Sequence, residues 1–149
     1  MGQQQLLLLV LGIVIVGLAV VVGIQAFGEN QKKANADALV NDGVRIASDA
    51  QAWALKPTAF GGPTDTEDID DVGFADLGYT LGGNGCAATS YGNLNGCFAL
   101  DGSTAGTVVI TGTSIPNSNN DNQVVVTVAG TTPQDITTAV TTVDDAAAN

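Results

Sequence analysis

The chain has 149 residues, no histidine and a net charge of −11, from 15 acidic against 4 basic side chains. The four bases (Lys32, Lys33, Arg45, Lys56) are balanced by Glu29, Asp37, Asp42 and Asp49, so the whole excess lies on residues 57–149, which carry eleven acids and no base. Such a surface repels phosphate backbones and argues against nucleic acid as a partner, and without histidine neither a Ser-His-Asp nor a Cys-His site exists, so the chain reads as a non-enzyme.

Residues 6–24 carry no polar side chain. As a helix this run is ~28 Å long, about one bilayer core. A secretory signal has a shorter apolar region ending at a small-residue cleavage site. Here the run continues through Gln25, Ala26 and Phe27 into a second helical pattern, and it is expected to be retained. In that pattern Ala36, Leu39, Gly43, Ile46, Ala50 and Trp53 recur at alternating steps of three and four, one stripe along a helix. Asp37, Asp42, Arg45 and Asp49 fall off the stripe. Trp53 lies on it and is expected in the core rather than as a ligand platform. Pro57 ends the helix, because it has no N–H to donate and disfavours a helical Lys56. The expectation is one helix of about fifty residues, roughly 75–80 Å long. Residues 1–28 would be apolar all round and 29–56 amphipathic. The amphipathic part needs a small domain on one face. The apolar part has nothing in the chain to bury it and needs lipid or copies of itself.

Residues 57–149 read as an acidic, β-rich head. GTVVITGTSI, NQVVVTVAG and DITTAVTTV alternate in β-branched residues. AFGGPTDT, LGGNG, YGNLNGC, LDGSTAG and IPNSNNDN read as turns, with NSNNDN as a hairpin loop. The expected fold class is α+β, a long helical spine with a small antiparallel sheet packed on its C-terminal half. Cys86 and Cys97 are too few for a zinc site. On a membrane-anchored chain such a close pair fits a disulfide formed in the periplasm or outside the cell. The carboxylates Asp65, Glu67, Asp68, Asp70 and Asp71 would suit a hard cation such as Ca²⁺. Their spacing is not that of an EF-hand, however, and the favoured reading is a solvated acidic loop with no cofactor. Tyr79 and Tyr91 stand apart in sequence among seven scattered aromatics and receive no role.

An unbroken apolar-to-amphipathic helix followed by a disulfide-bearing β head resembles the type IV pilin superfamily, pseudopilins included. Residues 6–24 match the filament spine and residues 34–56 the half that packs on the head. The stretch ANADALVNDGVRIASDAQAWALKPTAFGG is similar to pilin-like proteins of thermophilic and related bacteria, whose helix ends in a Lys/Arg-Pro-Thr-Ala turn before glycines. The resemblance implies a structural subunit of an extracellular filament for adhesion, motility or surface attachment. Its partners would be copies of itself, the inner membrane before assembly, a prepilin peptidase that removes a short basic leader, and the pilus assembly machinery. The implied spine residues are Met1, Gln5, Leu6, Leu9, Ile13, Val16, Val20 and Ile24, with Gly12, Gly17 and Gly23 permitting close packing or local unwinding. The family usually has a glutamate at the fifth mature position; Gln5, an acceptor without charge, stands there if the mature chain starts at Met1, and Leu7 if cleavage follows Gly2. Two other readings stay open at this point: a pseudopilin of a secretion system, and a membrane-tethered protein whose acidic head binds metal or ligand.

Overall fold

In the computed structural model the described residues are 2–65, 68–115 and 122–142. The first element is a 53-residue helix, α1, Gly2–Ala54. At 1.5 Å per residue it is ~80 Å long. Its scattered glycines do not interrupt it. The last turn tightens, with Lys56 N donating to Trp53 O at 2.9 Å, and Pro57 then turns the chain away in an extended conformation. A short 3-10 turn, Thr58–Phe60, follows and is closed by Gly61 at φ 83°.

The strands are β1 (Tyr91–Gly92), β2 (Gly96–Thr104), β3 (Thr107–Ser114), β4 (Asn122–Val128) and β5 (Ile136–Thr142). They form one antiparallel sheet in the order β1-β2-β3-β4-β5, so every strand pairs with its neighbour in the chain. The fold is α+β, as expected. β3, β4 and β5 fall on the three alternating segments. β2 was not expected as a strand, because its sequence GCFALDGST is rich in turn-forming residues. It pairs with β3 from Gly96↔Ser114 to Asp101↔Val109, and the register then slips by one residue before Thr104↔Thr107. The bulge absorbs Gly102 and Ser103, and the true turn is Ala105 and Gly106, the latter at φ 68°. Of the expected loop NSNNDN, residues 117–121 lie outside the described residues.

The two-residue period puts Val108, Ile110 and Gly112 of β3 on one face, beside Asn122, Val124, Val126 and Val128 of β4. Ile110 faces Val126 and Val108 faces Val128 across the ladder. Onto this face α1 lays Leu39, Gly43, Ile46, Ala47, Ala50, Gln51, Trp53 and Ala54, all buried. The set is broader than the single stripe seen in sequence, because a sheet is a flat partner and takes a wider arc of helix than another helix would. The loop between α1 and β1 closes the end of the core with Ile69, Val72 and Phe74. At Gly43 the helix lies directly against the sheet. A Cβ built there would stand 2.9 Å from Val126 Cγ2.

Candidate assembly surface

The first half of α1 leaves the head as a bare rod. Large apolar side chains from Leu6 to Ile24 are each 50–68 % exposed. The spine residues Gln5, Leu6, Leu9, Ile13, Val16, Val20 and Ile24 all lie on this open surface; Met1 lies outside the described residues. The segment is long and apolar enough to cross a membrane, and among the described residues none of it is covered by the rest of the chain. Gly12, Gly17 and Gly23 have no neighbouring atom within 4 Å of a built Cβ. At about 100° per residue, eleven positions nearly close three turns, so Gly12 and Gly23 share one face and Gly17 lies on another. The smooth patches they leave therefore point in two directions.

The rod is joined to the head without a hinge, and polar groups fix the joint at both ends. At the lower rim Asp42 Oδ2 accepts from Asn93 Nδ2 at 2.8 Å and from Asn95 Nδ2 at 2.7 Å. Asn35 Nδ2 donates to Asn95 O at 2.9 Å, and Asn122 Nδ2 donates to Lys32 O at 2.6 Å and to Asn35 Oδ1 at 3.2 Å. At the upper end Gln51 Nε2 donates to Gly130 O and Thr132 O, both at 2.8 Å. On the β1 side of the helix Tyr79, which packs on Tyr91, donates from Oη to Asp49 Oδ2 at 2.6 Å. Burial, together with that bond to a carboxylate, pushes the phenol up to about 12. None of these residues was given a role in packing from the sequence. Their partners lie 30 to 90 positions away, and in a helical window they count only as polar residues off the stripe.

Four of the seven aromatics come together in space. Tyr79 and Tyr91 touch at a centroid distance of 4.7 Å, Phe74 packs on both, and Phe98 stacks obliquely on Tyr91 at 6.2 Å. They wall the head next to the Cys86–Cys97 disulfide, whose Cα atoms are 5.5 Å apart. The disulfide ties the glycine-rich approach to β1 onto the start of β2.

The acidic loop does not gather its carboxylates. Asp65 and Asp71 are exposed, and Glu67 lies outside the described residues. Asp68 and Asp70 share a hydrogen bond that pushes Asp68 up and Asp70 down, and the Gly106 N–H donating to Asp70 at 3.1 Å lowers Asp70 further. This pair pins the loop to the β2–β3 turn. Among the described residues no group of three or more metal-ligating side chains stands close enough to hold an ion.

A long N-terminal helix carrying a small antiparallel sheet and a disulfide is compatible with a pilin-like fold. Set against models of protein families, against curated proteins and against solved structures, the chain matches none of them.

Proposed function

We propose that this chain is a structural subunit of an extracellular type IV pilin-like filament, built by burying its N-terminal helices in a central bundle. One observation carries the reading. A single unbroken helix is covered by its own head only from about Asn35 onward, while the apolar side chains of residues 6–24 stand open on every side. Removing most of that surface from water involves on the order of 1,500 Å², which at ~25 cal/mol/Å² is tens of kcal/mol gross before the costs of ordering. Lipid can satisfy the rod before assembly, and neighbouring rods can satisfy it afterwards.

The distribution of charge fits the same reading. The rod has no charged residue between Gly2 and Gly28, and the acidic head keeps the outside of a bundle hydrated. Head-to-tail contacts between such subunits do not close on themselves, and they generate open helical fibres. Gln5 offers hydrogen bonds but no charge, so subunit register would rest mainly on apolar packing. On this reading the inner membrane, a prepilin peptidase and an assembly machine are the partners, and adhesion, motility or surface attachment is the task. The test is electron microscopy of filaments sheared from cells making the protein, with mass spectrometry to identify the subunit and its N-terminus. Long filaments composed of this chain are expected. Recovery of the chain only as a monomer in the membrane fraction would overturn the reading.

A further inference from the structure

The chain contains two Asn-Gly pairs, Asn84–Gly85 and Asn95–Gly96, and the fold places them in opposite circumstances. Asn84 is exposed at φ 51°, between Gly83 at 107° and Gly85 at 81°. Cys86 N donates to Gly83 O at 2.9 Å, so Asn84 and Gly85 are the two central residues of a tight turn with both φ angles positive. Among the described residues nothing hydrogen-bonds the Asn84 amide or the Gly85 N–H, and the space around Gly85 is open.

Asn95 is held on every side. Its Nδ2 donates to Asp42 at 2.7 Å, its N–H to Asn93 Oδ1 at 2.9 Å, and its carbonyl accepts from Asn35 at 2.9 Å. The Gly96 N–H is itself occupied, donating to Asn93 Oδ1 at 3.0 Å, and Gly96 is buried.

We propose that Asn84 is a site of spontaneous deamidation in the folded protein, with water as the only reagent consumed. The Gly85 backbone nitrogen, having lost its proton to solvent base, attacks Cγ of Asn84. The N–Cγ bond forms, the Cγ–Nδ2 bond breaks, and Nδ2 leaves as ammonia after taking a proton from solvent. Water then adds to one of the two carbonyls of the five-membered imide and opens it to aspartate or isoaspartate. No electrons are exchanged. Glycine at position 85 matters because it has no Cβ to obstruct ring closure. The product adds a negative charge to an already acidic head. In the iso form it also adds a backbone carbon two residues before Cys86, just outside the loop closed by Cys86–Cys97.

The experiment incubates the full chain in detergent micelles at mildly alkaline pH and follows each Asn-Gly peptide by mass spectrometry. Isoaspartate-specific cleavage supports the assignment, and the reduced, denatured chain serves as reference. In the folded chain Asn84 should convert while Asn95 is at least about tenfold slower, since 1.4 kcal/mol of local opening free energy is enough for that factor. In the denatured chain the two should convert at similar rates. Asn84→Gln should remove the acidic species that accumulates. Asn95 converting as fast as Asn84 in the folded chain would overturn the proposal, as would Asn84 keeping its amide under conditions where the denatured chain loses it.

Discussion

Gly43 is where the helix and the sheet set each other's distance, and the cost of altering it can be worked from the contact. A methyl added there would sit 2.9 Å from Val126 Cγ2, against roughly 3.5–4.0 Å for a favourable carbon–carbon contact. Val126 is fully buried in the middle of β4, between Ile110 and Thr138 on the neighbouring strands, so its methyl has little room to retreat. Overpacking of this kind costs about 1–3 kcal/mol. Opposing it, alanine is better than glycine in a helix interior by about 1 kcal/mol. Gly43→Ala should therefore lose between ~0 and 2 kcal/mol, the packing term winning. Val126→Ala alone leaves a cavity and should lose about 2–3 kcal/mol. In the double variant the new methyl at position 43 occupies space that Cγ2 has vacated, so the clash disappears and the helix gain remains. The double variant should thus be more stable than the sum of the singles by about 1–2 kcal/mol. The assay is denaturant unfolding of the full chain in detergent, followed by the fluorescence of Trp53. That residue is the sole tryptophan and is only 6 % exposed in the core. Losses that simply add, to within about 0.5 kcal/mol, would show that the helix does not rest on Val126.

Other perturbations probe the rod, the joint and the phenol. Val14→Lys should abolish filaments while leaving the melting temperature of the head unchanged. An unpaired ammonium in an apolar bundle costs several kcal/mol, and Val14 lies ~30 Å along the helix from Asn35; normal filament abundance by microscopy would refute the bundle. Asp42→Ala should cost about 1–3 kcal/mol, because two amide donors lose one charged acceptor. Hydrogen exchange should then quicken in the β1–β2 turn, and unchanged melting and exchange would remove Asp42 from the joint. Tyr79 has a folded value of about 12 against 10.0 for the free side chain, so folding favours the protonated phenol. Its contribution is complete below pH 10 and is lost as pH rises through about 12. Tyr79→Phe should therefore flatten the loss of stability across that alkaline window, and an unchanged slope would contradict the raised phenol that burial and the Asp49 bond produce.

Much of the architecture was legible because it rests on periodicity. Residues 6–24 announce a helix that the chain cannot bury, Leu39 to Trp53 announce a buried stripe, and Pro57 announces the stop. β3 and β4 are clean alternations. β2 was hidden for a physical reason. A bulge at Gly102 and Ser103 breaks the two-residue period, and adjacent Cys97 and Phe98 are both buried at the end of the sheet. The polar joint was hidden for another. Asn35, Asp42, Asn93, Asn95 and Asn122 acquire meaning only when residues dozens of positions apart meet. The ring cluster of Phe74, Tyr79, Tyr91 and Phe98 is likewise a product of tertiary folding, invisible to spacing along the chain.

The strand order has a consequence for how the head forms. Because the sheet is a pure meander, each ladder closes between chain neighbours, and the three ladders with described loops are closed by short connections, 93–95, 105–106 and 129–135. Loop-closure entropy is small at each step, so the strands can zip in sequence on a fast timescale. The most numerous distant pairings are those of the helix with the sheet, and the helix is made before the strands. It can serve as a template already in place when the strands emerge, which leaves little time for the exposed edges of a half-built sheet to find each other between chains.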